Sequence, residues 1–358
     1  MSTNETAPIE TRQDKLLYVL FVLQLCMFEV HTLQLIQDHG FAREVLGAAG
    51  ILRGEPEYRV FQNRLLGPAI VELTAKATGQ PFTPTYALCL SLLIALSNVL
   101  CFTLVRRVTG KSITALAATT AFVVAVVFMQ DTSWFFLWDA IDLSTMVVFA
   151  YAVFYAKNDL RILVPLFLVE LLNRESAEFI ALWIVIVAVQ QLWDEASGRR
   201  FSKAGLAQLF TGSALLVGGT LWTKWLRTEL FRRSFDSRIG LDLKHSKDGQ
   251  WITLLENLRV ETLTHEVASF VIAIIACSAI AYMLSRLFVL KGRDSYQEII
   301  QITAMALAVW IFGRVDETRV WLEFIPFGIF FAFTIQPAIA ENKVTVLEMS
   351  ESDSQRAA

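Results

Sequence analysis

Charge is what this chain of 358 residues has least of. Asp, Glu, Lys and Arg make up 18% of it, where soluble domains of ordinary composition carry about a quarter. The apolar share is 55% and the mean hydropathy is +0.50. A P-loop, a GxGxxG element and a hydrolytic triad are all lacking, so nothing supports a nucleotide-driven pump or a dehydrogenase. The four cysteines, Cys26, Cys89, Cys101 and Cys277, all fall inside apolar runs. Without a CxxC pair or a His/Cys cluster they read as small buried hydrophobes. The sequence therefore names no cofactor and indicates no divalent metal. A net charge of only −3 gives no reason to expect a polyanionic partner such as nucleic acid. No internal repeat is present, and no linker separates soluble domains.

What the chain has instead is long apolar runs. A bilayer crossing takes about 20 such residues. Leu16–Ile36, Thr85–Val105, Ile113–Met129, Ala140–Ala156, Leu206–Leu226, Val267–Leu287, Ile299–Phe312 and Val320–Pro337 all qualify as spans or part-spans. The first run is too long for a signal-peptide core and lacks a small-residue cleavage site, so it is read as a retained span. Ile162 to Trp193 is apolar at both ends and interrupted by Leu-Asn-Arg-Glu-Ser at 172–176. As one helix it would be about 48 Å long, well beyond the hydrocarbon core. A hairpin broken at 172–176 is expected instead. The fold class is all-α: a polytopic integral membrane protein of about ten transmembrane or part-spanning helices, with interfacial amphipathic helices in the first outer loop. Residues 1–14 form a polar tail, 15–341 a single transmembrane domain, and 342–358 a polar tail read as disordered.

Basic residues set the orientation. Arg106, Arg107 and Lys111, then Lys157 and Arg161, then Arg199, Arg200 and Lys203, then Arg286, Lys291 and Arg293 mark four short turns. The hairpin puts all four on one side, so that side is taken as cytoplasmic, along with both termini. The expected location is a plasma membrane, the bacterial inner membrane, with membrane lipids as partners. The long loops 37–84 and 228–266 are also basic and land outside, where long loops obey the rule weakly.

This topology gathers polar residues at the outer ends of spans. His31, His39, His245 and His265 fall there, as do Glu29, Asp38, Asp131, Asp139, Asp142, Glu175, Asp316 and Glu317. Ionisable groups at membrane depth are costly and default to functional candidates. In the first outer loop, Val45, Ala49 and Leu52 share one helical face, and Phe61, Leu65 and Ile70 do so more loosely. Arg59 and Arg64 lie in the same loop and can grip a lipid phosphate through paired hydrogen bonds. Glu170, Arg174 and Glu178 are spaced as a charge ladder if the backbone there is helical. Arg174 and Glu175, with His39, Asp316 and Glu317, are read as lining a polar cavity. Arg314 and Arg319 offer a second phosphate grip. Ordinary headgroup contacts and surface salt bridges are the plainer alternative for each set. Trp134, Trp138, Trp222, Trp225, Trp310 and Trp321 are read as interfacial belt residues.

The loop DHGFAREVLGAAGILRGEPEYRVFQNRLLGP, with the later segments NRES and GRVDETRVWLEFIP, resembles multi-spanning glycosyltransferases of the C superfamily. The likeness touches about a quarter of the chain. It implies transfer of a sugar from a polyprenyl-phosphate carrier to an acceptor on the non-cytoplasmic side. It also implies Asp38 as catalytic base or contact to a divalent metal, and Arg59, Arg64, Arg314 and Arg319 as lipid-phosphate contacts. Asp38 is followed by His39 where many members carry a second acidic residue, and the chain has fewer spans than is common. A transporter or flippase of a lipid-linked or anionic solute, and a non-catalytic membrane subunit, are the competing readings. The orientation is open to direct test. Cysteines introduced at Ser197 and Ser350 should resist an impermeant thiol reagent added outside intact cells, and labelling of either would invert the topology.

Overall fold

The computed structural model describes residues 12–37, 41–54, 63–130, 135–197, 202–226, 267–312 and 318–335. All regular structure among them is helical. The helices are α1 (Arg12–Gln37), α2 (Phe41–Leu52), α3 (Leu66–Thr78), α4 (Phe82–Thr109), α5 (Ser112–Met129), α6 (Leu137–Tyr155) and α7 (Leu160–Leu171). They continue with α8 (Ala177–Ser197), α9 (Lys203–Trp225), α10 (Val267–Lys291) and α11 (Tyr296–Phe312). The last described stretch is a 3₁₀ segment (Thr318–Phe324), a short helix α12 (Ile325–Phe330) and a π-helical turn (Phe331–Ile335).

Among the described residues, seven helices are long and apolar enough to cross a membrane: α1, α4, α5, α6, α8, α9 and α10. Three shorter apolar segments, α7, α11 and residues 320–335, pack among them. Six of the seven coincide with spans expected from hydropathy. The seventh, α8, is the second arm of the expected hairpin. The break falls where it was anticipated: α7 ends at Leu171, and α8 starts at Ala177.

Side-chain pairings fix how the helices run. The Leu137 N–H donates to Tyr86 Oη at 3.1 Å and Ser144 Oγ donates to the Leu93 carbonyl at 3.4 Å. Equal offsets of 51 residues mean that α4 and α6 are parallel. On α9, Gly205 abuts Leu192, Gly212 abuts Val185, and Thr220 Oγ1 donates to Glu178 Oε1 at 3.0 Å, so α8 and α9 are antiparallel. The absence of a side chain at Gly212 lets the two backbones approach: a Cβ there would stand 3.0 Å from the Val185 nitrogen. Gly110 closes α4 in the left-handed region (φ 67°), its N–H donating to the Arg106 carbonyl at 2.8 Å, and the chain reverses into α5.

One end of the bundle collects the basic turns. The Arg107 guanidinium lies 5.9 Å from the Tyr151 ring centroid, and Gln208 Nε2 reaches Asn158 Oδ1 at 3.5 Å. The carboxylate of Glu298, fully buried, is held by Lys157 at 2.8 Å and Lys291 at 3.4 Å. That ties the α6–α7 turn to the end of α10 and the start of α11. The described residues that flank the four turns expected on one side thus share one end of the molecule, Arg199 and Arg200 lying outside the described residues.

The core is centred on α6, which is 94% buried along its hydrophobic window, against 22–39% for the other six. Phe327 packs edge-on to Phe149 at 5.8 Å, and Phe330 lies 6.3 Å from Tyr151, so the last segment runs alongside α6. Trp138 and Trp321, expected in an interfacial belt, are instead fully buried in this core. Aromatic side chains near a span end serve packing as well as interface anchoring, and sequence position alone does not separate the two. The buried face of α2 is Glu44, Val45, Ala48 and Ile51, displaced by about one residue from the expected face, with Leu52 exposed.

The glycine contact makes a prediction. Gly212→Leu should lower the thermal midpoint of the detergent-solubilised protein by the equivalent of about 1–3 kcal/mol, the usual range for overpacking. Gly218→Ala meets open space and should leave the midpoint unchanged or raise it, by up to about 1 kcal/mol from helix propensity.

Candidate functional site

The opposite end of the bundle holds the polar groups. It is assembled where three chain segments meet. The Leu66 N–H, at the start of α3, donates to the Leu172 carbonyl at 2.9 Å. A Cβ on Gly67 would stand 2.9 Å from a Leu137 methyl, so α3 also sits tight on the start of α6. Asn173 Nδ2 donates to the Trp138 carbonyl at 3.0 Å, fastening the α7–α8 break to the same turn of α6.

Arg174 stands in that break and points into α6. Its Nη1 donates to Asp139 Oδ1 at 3.2 Å and to Asp142 Oδ2 at 3.0 Å, and its Nη2 lies 3.9 Å from Glu323 Oε1. Asp139 and Asp142 are three residues apart on one helix, so both carboxylates project from one face. Asp139 is further fixed by the Phe136 N–H, which donates to its Oδ2 at 2.9 Å, in a capping arrangement at the helix start. Asp142, Glu323 and Asp139 surround the guanidinium with negative charge, and an arginine side chain does not give up its proton in a protein. Arg174 is therefore a permanent cation.

A second layer surrounds this one. Ser176 Oγ lies 3.1 Å from Asp142 Oδ1 and 2.8 Å from Glu170 Oε1. Asn173 Nδ2 also reaches Glu170 Oε1 at 3.3 Å, while Glu170 Oε2 has no hydrogen-bond partner among the described residues. A hydroxyl has one proton to give, so only one of the two carboxyls next to Ser176 can accept it. Arg64 is buried and stacks over the indole of Trp138, 5.3 Å from its centroid, and Trp138 in turn stacks on Phe136 at 4.3 Å. Glu323 lies within electrostatic reach of both Arg64 and Arg174. Four buried carboxyls, Asp139, Asp142, Glu170 and Glu323, thus face two guanidiniums. Fully ionised, they would leave excess negative charge in a site with little water, which favours a proton or a cationic group among them. Glu44 on α2 adds a further buried carboxylate, accepting from the Phe135 N–H at 3.2 Å. Asn63, beside Arg64, is 1% exposed, and neither its amide nitrogen nor its oxygen has a hydrogen-bond partner among the described residues.

Of the residues singled out from sequence, Arg64 and Arg174 come together here. Glu175 is half-buried in the same break. Arg319 falls in the 3₁₀ segment that carries Glu323. Asp38, His39, Arg59, Arg314, Asp316 and Glu317 lie outside the described residues. The ladder of Glu170, Arg174 and Glu178 does not form, because the helix breaks between its members. Arg174 turns to α6, Glu170 to Ser176 and Asn173, and Glu178 to Thr220 on α9. Glu29, expected at the outer end of the first span, is fully buried about two turns inside α1, where it meets Asn98 of α4. Asp139, Asp142, Glu170 and Glu323 are the residues that sequence reasoning left out of its site. The three-residue spacing of the two aspartates was a usable signal; Glu323, alone in an aromatic run, offered none. Among the described residues, no group of three or more His, Cys, Asp or Glu side chains is arranged to hold a metal ion.

Removing the central cation should expose what it balances. Arg174→Met is expected to destabilise the folded protein by about 3–5 kcal/mol, the usual cost of leaving a buried charge unpaired. The double change with Asp142→Asn should recover part of that loss, the coupling being measured by a double-mutant cycle of melting temperatures. An unchanged melt for Arg174→Met would mean that the ion cluster does not hold the α7–α8 break.

No known protein family, no characterised protein and no solved structure matches this chain.

Proposed function

We propose that this chain is a membrane glycosyltransferase that moves a sugar from a polyprenyl-phosphate carrier to an acceptor on the non-cytoplasmic side of a bacterial inner membrane. In this reading ten segments cross or part-cross the bilayer, both termini are cytoplasmic, and the buried ionic cluster lies toward the outer leaflet. The observation that carries the proposal is the convergence of four carboxyls and two guanidiniums at one end of an otherwise apolar bundle. They come from α6, from α7 and the break after it, from the segment before α3, and from the 3₁₀ segment before α12. Ionisable groups at membrane depth are expensive and are retained where chemistry uses them.

Sugar transfer from a lipid phosphate asks for two things. A base must come within hydrogen-bond reach of the acceptor hydroxyl, and positive charge must meet the phosphate that leaves. Asp139 and Asp142 are committed to the Arg174 guanidinium, and Asp139 also to the Phe136 N–H, so they hold that cation rather than face an acceptor. Glu323 touches Arg174 only at 3.9 Å and is the better placed of the buried carboxylates. Asp38 is the base that the family resemblance implies. Arg174 is already neutralised by two aspartates, so it acts as a positioning residue. Phosphate contact is assigned to Arg64, with Arg59, Arg314 and Arg319 as the further grips taken from the resemblance.

The test is a release assay. The purified protein, reconstituted in vesicles with an outer-leaflet acceptor extract, is offered a panel of radiolabelled polyprenyl-phosphate hexoses, and free polyprenyl phosphate is measured. Release should occur with at least one donor. Glu323→Gln and Asp38→Asn should each slow it by about 10²–10⁴-fold, the usual share of a general base, with melting temperatures preserved. Arg64→Ala should act mainly on KM. If no donor is consumed, the transporter or non-catalytic subunit takes precedence. Release that survives both carboxylate changes would detach the activity from this cluster.

A further inference from the structure

A second buried carboxyl stands apart from the cluster and plays no part in the proposed transfer. Glu29 is 0% exposed in the interior of α1, and α1 and α4 are antiparallel there, Cys26 and Glu29 lying against Ala95 and Asn98 and Leu33 and Gln34 sharing a cavity wall with Leu90 and Ser91. Asn98, also 0% exposed, donates from Nδ2 to Glu29 Oε2 at 2.6 Å and lies 3.6 Å from Cys26 Sγ. That amide is the one hydrogen-bond partner of the carboxyl among the described residues. Glu29 Oε1 and Asn98 Oδ1 are both buried without a hydrogen-bond partner among the described residues. The other titratable groups near it are the thiols Cys26, on its own helix, and Cys101 on α4. α5, which packs against α1, carries no titratable side chain from Ser112 to Met129, and His31 on α1 is exposed.

An ionised carboxylate cannot be sustained at such a place by one neutral amide, since each buried ion needs a counter-charge or several hydrogen bonds. A cavity lies next to the position, lined by the neighbouring Val30 though not by Glu29 or Asn98 themselves. One helical turn nearer the polar end, Leu33 and Ile94 line a cavity of about 350 Å³ between α1, α2 and α4, together with Val30, Gln34, Leu90 and Ser91. Its walls are mostly apolar, and Gln34 and Ser91 give it a polar margin.

We propose that Glu29 is a proton-binding site in the membrane interior, carrying its proton at neutral pH and exchanging it by way of the cleft between α1 and α4. The loaded acid is neutral and matches its apolar surroundings. A proton on Oε1 also supplies the donor that the pair lacks, with Asn98 Oδ1 the unfilled acceptor beside it. Loss of the proton leaves a bare charge between two spans and favours their separation along the cleft. This inference stands on residues distinct from the transfer site and does not depend on that reading.

A hydrophobic carbodiimide tests it, because it partitions into lipid and reacts with a protonated carboxyl. The acid proton moves to a carbodiimide nitrogen while the carboxyl oxygen bonds to the central carbon, an addition with no leaving group. With the full chain in lipid nanodiscs at pH 7, the adduct should map by peptide mass to Glu29 and decline as the pH is raised. A water-soluble carbodiimide should not produce it. Glu29→Gln, which mimics the neutral acid, should fold, keep the wild-type melting temperature and lose the adduct. Independently of any variant, the wild-type infrared spectrum should show a protonated-carboxyl stretch that declines with the adduct. Labelling confined to other carboxyls, or absence of that stretch at pH 7, overturns the proposal. Protection of Glu29 by excess sodium at constant pH also overturns it, in favour of a metal cation.

Discussion

An ion buried among apolar helices must find its counter-charge in the protein, and Arg174 is where this chain meets that demand. The guanidinium sits in the gap between α7, a helix of 12 residues, and α8, which is long enough to cross a membrane. Asp139 and Asp142 approach it from the central helix and Glu323 from the last described segment. The local geometry follows from that one placement. The start of α3 is hydrogen-bonded to the end of α7, Asn173 is fastened to the carbonyl of Trp138, and Ser176 bridges two carboxyls. A neutral residue at 174 would leave these elements with the same apolar contacts but with negative charge that nothing answers.

The two ends of the bundle use charge differently. At the basic end, Lys157 and Lys291 converge on the single carboxylate of Glu298, so cations outnumber anions. At the polar end, carboxyls outnumber guanidiniums. The first arrangement suits a turn region next to anionic headgroups, where surplus positive charge is matched by lipid. The second has no such supply of counter-ions and is resolved by protons or by a bound group. The asymmetry lies along the length of the bundle, with surplus cations at one end and surplus carboxyls at the other.

How much of this was legible in the sequence depends on the kind of signal. Long apolar runs report spans directly, because length and hydropathy are what a bilayer selects, and the break at 172–176 was legible because a helix of that length does not fit. The ladder of Glu170, Arg174 and Glu178 misled, since spacing by four carries meaning only while the helix continues. Trp138 and Trp321 misled because a belt and a core draw on the same residue. Glu323 could not be paired with Arg174 from sequence at all: their contact joins segments far apart in the chain, and no local periodicity encodes it. Asp139 and Asp142 were visible as acidic groups near a span end, but their partner was not.

Helix α6 is enclosed on nearly every side and still carries two aspartates in its first two turns. A charged residue at the centre of a helix presented to lipid alone costs about 2.5–3.5 kcal/mol, and less toward the helix ends. The segment is still apolar enough to cross a membrane by length and composition, but the arginine that answers its two carboxylates is synthesised about thirty residues later, beyond α7. The charge pairing of α6 is in this sense a joint event with α7 and the break that follows. Until Arg174 has been made, Asp139 and Asp142 lack the guanidinium they share in the folded chain. The order in which the chain is made therefore becomes part of how its central helix reaches its place.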